Sequence, residues 1–187
     1  MKYSNDIILS KAAAGEKMKF IFFWGHTPGR VGSVDMSCLS QWYECRFTVE
    51  GVVYHTAEQY MMSQKALLFG DEDIYQKIMN AGDPGAYKAL GRMISGFDEE
   101  LWRSRRTDIV INGNMAKFSQ NDDLREFLLN TGSRVLVEAS PYDRIWGIGM
   151  AKNSADIEDP FCWKGTNLLG YWLMEVRDRL KEELNAR

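Results

Sequence analysis

Glu58 and Lys65 have types and a spacing that could support chemistry. They lie in the segment 56–69, TAEQYMMSQKALLF, where Thr56 and Gln59 have the spacing of a capping box and predict the start of a helix. In a helix the two charged residues are almost two turns apart and share one stripe, about 10 Å apart along the axis. Methionine, leucine and phenylalanine flank this stripe, although a surface helix usually keeps its charges away from its apolar face.

Two interpretations of this stripe are open. Both side chains could reach past the methionines to solvent, as long charged side chains often do at a helix edge. Alternatively, the stripe could line a cleft, in which a partly desolvated carboxyl group has a raised pKa and exchanges protons near neutral pH. A desolvated lysine has a lowered pKa and becomes a usable nucleophile.

A second candidate segment is YDRIWGIGM, residues 142–150. Trp146 could offer a ring face to a planar ligand or could anchor the core, and Gly147 and Gly149 could form a tight backbone path or only turn the chain. Asp143 could act as an acid, a base or an acceptor for ribose hydroxyls, or could cap a turn. The glycine spacing is not GxGxxG and follows no Rossmann pattern, which excludes a dinucleotide-binding fold of that type.

Basic residues are concentrated in the segment 100–120, which contains Arg103, Arg105, Arg106 and Lys117. Such a set can hold a phosphate, but a run of charge on a helix is more often a solvated face. Arg92 is another candidate for a forked contact to phosphate. The sequence contains no GxSxG, HExxH or Walker A motif and so indicates none of the chemistries that depend on them.

Composition restricts the class of protein. The 187 residues fit one domain, and the net charge of −3 argues against a dedicated nucleic-acid-binding protein. Three cysteines without a CxxC pair and two histidines indicate reduced thiols and no zinc site. No apolar run reaches the roughly 18 residues of a membrane span, and the N-terminus lacks the order of a secretory signal. We therefore expect a cytoplasmic protein without a metal or a cofactor.

The order of the predicted elements indicates an α+β fold, a single, predominantly helical domain with a few short strands. Strands are predicted over 19–24 and 134–139, a hairpin over 46–55, and helices over about 57–70, 72–80, 84–94, 99–119, 122–131 and 167–184. The segment 140–165 is irregular and too long to be a mere connection.

Five segments together closely resemble the YbiA/NADAR family, in the family's own order and over nearly the whole chain from about residue 20. Each motif alone would be weak, whereas the set is highly specific. The segments are FFWGH (22–26), LSQWYECRFTVEGVVYHTAEQYMMSQKALLFGD (39–71), ALGRMISGFDEELWRSRR (89–106), GNMAKFSQNDDLREFLLNTGSRVLVEASPYDRIWGIGM (113–150) and WKGTNLLGYWLMEVRDRL (163–180).

The resemblance implies a small, largely helical, YbiA-like α+β protein that cleaves N-glycosidic bonds without a metal. It implies as substrates phosphorylated ribosylamino-pyrimidine and pyrimidinone intermediates of riboflavin synthesis, or ADP-ribose attached to guanine bases. Nucleic acid would then enter only as a modified substrate, and no membrane is involved. The resemblance also implies an N-terminal extension over 1–18 and a family domain over 19–187.

The resemblance extends to individual residues. Glu58, Asp143 and Lys65 are expected to be catalytic, and Lys65 matches the family lysine implicated in a covalent imine with the opened ribose. The sequence leaves open whether Lys65 is a nucleophile or a phosphate ligand. The expected substrate-binding residues are Trp146, Trp24, Gly147, Arg92 and Asn167. We expect Glu58, Lys65, Asp143 and Trp146 to line one cleft.

The chain departs from the family at two positions. Ile148 stands where YbiA-type members carry aspartate, so no acidic role is carried over to this position and Asp143 is the acid next to Trp146. Arg46 stands where proline is common in the family. These departures bear on the substrate rather than on the family.

Cleavage of a ribosyl–nitrogen bond builds positive charge on the sugar and needs a proton for the departing nitrogen. We expect Glu58 to transfer that proton, to stabilise the charge or to activate water, while Trp146 stacks on the base and Asp143 holds ribose hydroxyls. The rival hypothesis is a non-catalytic ADP-ribose or nucleotide-binding module on the same fold, which would not require Glu58.

Overall fold

The computed structural model describes residues 2–186 and confirms an α+β fold in which helices predominate over short strands. The helices are α1 (Asn5–Ala13), α2 (Ala57–Leu68), α3 (Glu72–Asn80), α4 (Pro84–Gly91), α5 (Glu99–Gln120), α6 (Asp122–Asn130) and α7 (Leu168–Asn185). The strands are β1 (Phe20–Phe23), β2 (Phe47–Val49), β3 (Val52–Tyr54) and β4 (Val135–Glu138). Short 3₁₀ turns occur at Met36–Leu39 and Pro160–Cys162.

The chain divides into two compact units, which we call the terminal unit and the central unit. The terminal unit contains residues 2–40 and 123–186, and the central unit contains residues 41–122. Each unit has its own two-stranded sheet, formed by β1 and β4 in the terminal unit and by β2 and β3 in the central unit.

The sheet of the terminal unit is parallel. β1 and β4 pair with Phe20 beside Val135 and Phe23 beside Glu138, and α7 packs against β4. Because parallel strands have their carboxyl ends at the same edge of a sheet, the segments that follow Phe23 and Glu138 leave the sheet on the same side. Trp24 and the loop over 139–150 therefore start at the same edge.

Asn167 joins the start of α7 to β4. It has a left-handed backbone conformation with φ of +50°, which asparagine tolerates better than most residues. Its Nδ2 donates to the Leu136 carbonyl, and its Oδ1 accepts from the Glu138 N–H, each at 2.9 Å. Within the first turn of α7, a Cβ added at Gly170 would overlap the Leu136 carbonyl oxygen. Glycine at this position lets the helix approach the strand.

The central unit consists of the antiparallel β2–β3 hairpin and four helices. Glu50 and Gly51 close the hairpin, both with positive φ, as a two-residue type I′ turn requires. Helix α2 packs against α3, α4 and α5. Phe47, Tyr54 and Tyr60 form a buried cluster in which α2 meets the hairpin. Helix α2 is therefore the element around which this unit is built.

Most predicted elements are confirmed within a few residues. Helix α4 ends at Gly91 instead of continuing to about residue 94, because the N–H and the hydroxyl of Ser95 both donate to the Asp71 carboxylate and divert the chain. Among the helices of residues 2–186, none has the length and apolar character that a membrane crossing requires.

Helix α1 lies in the N-terminal segment, for which the sequence predicted no element. The hydroxyl of Tyr171 in α7 donates to Asn5 Oδ1 at 2.7 Å. The hydroxyl of Tyr3 donates to Asp178, also in α7, at 2.8 Å. The N-terminal segment is thus fastened to α7, while the expected domain boundary after residue 18 stays a prediction.

Gly170→Ala is expected to lower the melting temperature. The added Cβ would overlap the Leu136 carbonyl oxygen, and overpacking of this kind typically costs about 1–3 kcal/mol of stability because a backbone atom in a paired strand cannot move aside freely. Gly82→Ala is the matched control, since the space around Gly82 is open and its φ lies outside the left-handed region. Thermal unfolding followed by circular dichroism checks this, and equal melting temperatures for the two variants would contradict it.

Candidate active site

Helix α2 carries Glu58 in its first turn. Thr56 Oγ1 accepts from the Gln59 N–H, which confirms the predicted helix start, although the Gln59 side chain accepts from the His55 N–H rather than from that of Thr56. Glu58 is 4% exposed, and its N–H donates to the Gln41 carbonyl at 2.9 Å. A position near the positive end of the helix dipole stabilises its negative charge. The solvent-edge interpretation is therefore wrong for Glu58.

Buried amides hold the residue that accepts the Glu58 N–H. Gln41 Nε2 donates to Asn114 Oδ1 at 3.1 Å, and Asn114 Nδ2 lies 3.4 Å from Gln41 Oε1. Asn114 Nδ2 also donates to the Val110 carbonyl, one turn earlier in α5. This network fixes Gln41 against α5 and thereby holds the first turn of α2 in place.

Lys65 lies almost two turns further along α2 and is half-buried. Its Nζ donates to the Gly91 carbonyl at 2.9 Å and lies 4.3 Å from the ring centroid of Phe97 and 5.6 Å from that of Trp102. Burial lowers the pKa of the Lys65 amine, and the negative charge of Glu99 opposes this to a smaller extent. Aromatic rings attract the ammonium form, but desolvation prevails. The neutral fraction of the Lys65 amine is therefore larger than that of an exposed lysine, and a nucleophilic amine must be neutral.

The basic residues of the central unit do not form the single phosphate-binding set that the sequence allowed. Lys117 is fully buried in α5, and Arg103 pairs with Glu99 on the surface. Arg92 is exposed and immediately follows the residue whose carbonyl accepts from Lys65. Arg92 is therefore the arginine of the expected site that lies beside the Lys65 contact.

In the terminal unit, the loop after β4 consists of capped turns. Ser140 Oγ accepts from the Asp143 N–H at 3.2 Å. Asp143 Oδ1 accepts from the N–H groups of Ile145 and Trp146 at 2.9 and 2.8 Å. Asp143 is thus a turn cap, one of the roles left open by the sequence. Its Oδ2 makes no hydrogen bond to residues 2–186, which leaves one carboxylate oxygen for a ligand.

Trp146 and Gly147 follow this turn and lie close to the core. The half-buried Trp146 ring packs edge-to-face on Trp172, with centroids 5.2 Å apart, so its ring is in part a core contact. A Cβ added at Gly147 would lie 2.6 Å from the Glu138 carbonyl oxygen, and the Gly147 carbonyl accepts from the Asn167 N–H at 3.1 Å. The tight backbone path is confirmed, because only glycine allows this approach to β4.

Ile148, which stands where the resemblance implies an aspartate in YbiA-type members, is fully buried. Its N–H donates to the Glu138 carbonyl at 3.0 Å. An apolar side chain fits this position because a carboxylate there would have to leave water.

Tyr142 is a residue of this loop that the sequence reasoning did not single out. Its side chain is 87% exposed, and its ring centroid lies 6.2 Å from that of Trp24, which is 55% exposed. Tyr142 lies inside the segment identified as a candidate, next to Asp143. Its position beside Asp143 is the only feature of the sequence that points to it. Without the fold, an exposed tyrosine cannot be distinguished from a buried one.

Asn167 is fully buried, and both polar atoms of its side chain bind β4. The geometry gives this residue a positioning role, since it connects the strand, the Gly147 loop and α7. A direct contact of Asn167 with substrate stays a prediction.

The structure places the expected residues in two groups. The central unit contains Glu58 and Lys65 on α2 and Arg92 at the end of α4. The terminal unit contains Trp24, Asp143, Trp146, Gly147 and Asn167. That Glu58, Lys65, Asp143 and Trp146 line one cleft stays a prediction.

Three comparisons relate this chain to known proteins. The family model of the NADAR domain matches residues 22–181. An N-glycosidase of Acanthamoeba polyphaga mimivirus is 42% identical over 168 residues, which cover 87% of this chain and 97% of the viral protein. The N-glycosidase YbiA of Escherichia coli (strain K12) is 33% identical over 135 residues, which cover 72% of this chain and 76% of the bacterial protein.

A solved structure agrees with the sequence relatives. The NMR structure of the E. coli protein YbiA superimposes with a TM-score of 0.73 at 28% identity and covers 90% of this chain and 89% of its own. The NADAR match spans both the terminal and the central unit. This chain therefore belongs to the NADAR family, in which its relatives from the mimivirus and from E. coli are N-glycosidases.

Proposed function

We propose that this chain is an N-glycosidase that hydrolyses the bond between ribose and a heterocycle nitrogen in a phosphorylated substrate. The proposed substrates are ribosylaminopyrimidine-type intermediates of riboflavin synthesis or ADP-ribosylated guanine. The activity class is supported by the relatives named N-glycosidase. The observation that carries the proposal is a buried carboxylate, Glu58, on the same helix as the partly desolvated amine of Lys65.

The role proposed for Glu58 follows from the charge that develops during cleavage. As the ribosyl–nitrogen bond breaks, positive charge forms on the sugar and the departing nitrogen needs a proton. A carboxylate in a site from which water is largely removed interacts more strongly with that charge than it would in water. Glu58 therefore stabilises the sugar cation or exchanges the proton, from a helix turn that the contact between its own N–H and the Gln41 carbonyl holds in place.

The role proposed for Lys65 is nucleophilic. When the ribose opens, C1 is joined to the base nitrogen as an imine. The neutral Lys65 amine adds to C1, the C1–N bond to the base breaks, and the base leaves as an amine that carries the two protons given up by the Lys65 nitrogen. Water then hydrolyses the Lys65 imine and restores the amine. Arg92, exposed beside the Lys65 contact, would bind the phosphate in this arrangement.

The terminal unit would supply contacts to the sugar and the base. Asp143 Oδ2 has no protein hydrogen bond within residues 2–186 and can accept from ribose hydroxyls. The exposed part of the Trp146 ring can stack on the heterocycle, since each base offers a π-face. Gly147 and Asn167 would keep this loop at the edge of the sheet. A cytoplasmic location is part of the proposal and is supported by three cysteines, none of which forms a disulfide in the described part of the chain.

The alternative is a non-catalytic module that binds ADP-ribose or a nucleotide on the same fold. Binding would use Trp146, Asp143 and Arg92 but would not require a buried carboxylate in the first turn of α2. To test the activity directly, the protein is incubated with a panel of ribosylated heterocycles and ADP-ribosylated guanine, and released base and sugar are followed by mass spectrometry. If base is released from none of these compounds, the proposed N-glycosidase activity is contradicted and the non-catalytic binding module is favoured.

Glu58→Gln is expected to abolish turnover while leaving substrate affinity nearly unchanged. The substitution keeps the shape and the hydrogen-bonding capacity of the side chain but removes its charge and exchangeable proton, which typically costs about 10²–10⁴-fold in rate. Base release and calorimetric titration on the same preparation measure the two quantities. Glu72→Gln, in the first turn of the neighbouring α3, is the matched control and should keep full activity. A Glu58→Gln variant as fast as the parent would overturn the mechanism.

Lys65→Arg distinguishes a nucleophile from a phosphate ligand. An arginine keeps the positive charge and can bind phosphate, but it cannot form an imine. We therefore expect loss of turnover, and loss of the adduct that borohydride reduction traps in the parent protein and that mass spectrometry locates on residue 65. Lys88→Arg is the matched control, because Lys88 is also a half-buried lysine facing an aromatic ring. An active Lys65→Arg variant would favour the phosphate-ligand role.

The pH dependence of the rate provides a second test of Lys65. The nucleophile is the neutral amine, whose fraction grows as pH rises toward the pKa, and burial lowers that pKa. We therefore expect the turnover rate to rise with pH and to level off below the pH at which an exposed lysine titrates. If Lys65 instead binds phosphate as a cation, substrate affinity should weaken over the same range. Steady-state kinetics between pH 6 and about 10 separate the two results.

Asp143→Asn is expected to weaken substrate binding without loosening the loop. The asparagine side-chain oxygen can still accept from the N–H groups of Ile145 and Trp146, so the turn is kept, but the negative charge offered to ribose hydroxyls is lost. Asp143→Ala should in addition lower the melting temperature, since it removes the cap. Kinetics and thermal unfolding of both variants check this. Equal kinetics for Asp143→Asn and the parent would limit Asp143 to capping.

A further inference from the structure

Trp24 is an expected substrate-binding residue, but the proposed mechanism gives no role to the exposed aromatic pair that it forms with Tyr142. Tyr142 is 87% exposed, Trp24 is 55% exposed, and their ring centroids are 6.2 Å apart with planes inclined by 53°. Single apolar side chains on a surface are ordinary, whereas adjoining exposed aromatic rings are a feature of ligand- and partner-binding surfaces. The location of the two rings decides between a ligand and a partner protein.

Both rings lie where the parallel sheet ends. Trp24 directly follows β1, and Tyr142 lies in the loop that follows β4. Because the two strands are parallel, the pair is at the same sheet edge as the loop that contains Asp143 and Trp146. In α/β sheets, ligands bind outside the carboxyl ends of parallel strands. The pair therefore lies on the side of the terminal unit that already carries the expected substrate contacts.

The backbone beneath Tyr142 is held by turn hydrogen bonds although the side chain is exposed. The Tyr142 N–H points to Ser140 Oγ at 3.4 Å, and the stronger bond from the Asp143 N–H to the same oxygen closes the turn at 3.2 Å. Pro141 fixes its own φ, and the Asp143 carbonyl accepts from the Gly149 N–H at 3.0 Å. An exposed ring on a fixed backbone is suited to binding.

We infer that Trp24 and Tyr142 form an aromatic subsite for a planar heterocycle and that Tyr142 is a specificity-determining residue of this protein. The inference rests on the proposed function, which supplies a substrate with at least one base. A base between two parallel rings needs on the order of 7 Å, twice the contact distance of about 3.5 Å between carbon atoms. The observed centroid separation is 6.2 Å and the planes are inclined by 53°, so the exposed Tyr142 side chain would rotate outward and become parallel to Trp24 to admit the base.

The heterocycle can come from two parts of a substrate. It is either the base that is cleaved, in which case the pair would take over the stacking role proposed for Trp146, or, in ADP-ribosylated guanine, the adenine at the far end of the molecule. Both are planar π-systems, and stacking does not distinguish them. Kinetics with the two proposed substrates distinguish the cleaved base from the adenine, because a ribosylaminopyrimidine has no second base.

Tyr142→Ala is the decisive variant, and Tyr142→Phe is its conservative counterpart. Loss of one stacking partner removes an interaction made equally before and during cleavage, so KM should rise about fivefold or more while kcat changes little. Tyr142→Phe keeps the ring and should keep the KM of the parent. Phe161→Ala is the matched control, since Phe161 is another exposed aromatic residue (61%) of the terminal unit. A higher KM for both substrates assigns the subsite to the cleaved base, and a higher KM for ADP-ribosylated guanine alone assigns it to the adenine.

A binding experiment tests the subsite independently of catalysis. AMP, UMP and ribose 5-phosphate are titrated into the parent and the Tyr142→Ala variant by calorimetry. We expect the parent to bind at least one of the two nucleotides several-fold more tightly than ribose 5-phosphate, and the variant to lose that difference. This result would stand even if no substrate were cleaved, in which case the proposed function alone would fail. An unchanged preference for the nucleotide in Tyr142→Ala, or no preference in the parent, would overturn the inference.

Thermal unfolding separates binding from a structural role. An exposed side chain contributes little to stability, so Tyr142→Ala should unfold within a few degrees of the parent. A large fall in melting temperature with unchanged nucleotide preference would show that the pair only stabilises the loop, and the subsite would be wrong.

Discussion

The carboxamide of Asn167 makes the two hydrogen bonds on which the candidate residues of the terminal unit depend. A side-chain amide has a donor and an acceptor at one end, and here they bind the Leu136 carbonyl and the Glu138 N–H of β4. The backbone of the same residue donates to Gly147 and accepts from Tyr171. Strand, loop and helix thus meet at one buried side chain. The position of the loop that contains Asp143 and Trp146 is consequently set by its contacts with the core.

In the central unit the corresponding constraint is desolvation. Taking a charged group out of water is costly unless other polar groups replace the water. Lys65 illustrates the balance, because Phe97, Trp102 and the Gly91 carbonyl surround its amine but do not restore what burial removes. The helix is stable because Ala66 and other residues of α2 are buried in the core. Stability from apolar residues thus permits a stripe with two partly or fully desolvated charged residues on the same helix.

Local patterns predicted much of this structure. The cap at Thr56 and the embedded Glu58 and Lys65 follow from spacing within one helix, where sequence distance and spatial distance are closely related. Long-range contacts are different. The amide pair of Gln41 and Asn114 joins positions far apart in sequence, and no periodicity indicates it.

Other features could not be predicted from local patterns, because they too depend on contacts between distant parts of the chain. Lys117 belongs by charge to the basic segment, yet it is fully buried, because burial depends on which face of α5 meets the rest of the fold. The double role of Asp143 as a turn cap with a remaining oxygen needs coordinates, since the sequence allows each role separately. The family resemblance supplied the expected roles of residues, whereas the fold supplied their neighbours.

The parallel pairing of β1 with β4 has a consequence for biosynthesis. β1 is the apolar segment FIFF, and in residues 2–186 its strand partner is β4, which follows the complete central unit in the chain. On the ribosome, β1 therefore emerges long before it can pair, while the contiguous central unit can fold as soon as it is made. Non-local parallel pairing is slow because a long loop must be closed first. Until then an aromatic, uncharged strand is exposed to other nascent chains, which makes the interval before β4 emerges the period in which this protein most needs a chaperone.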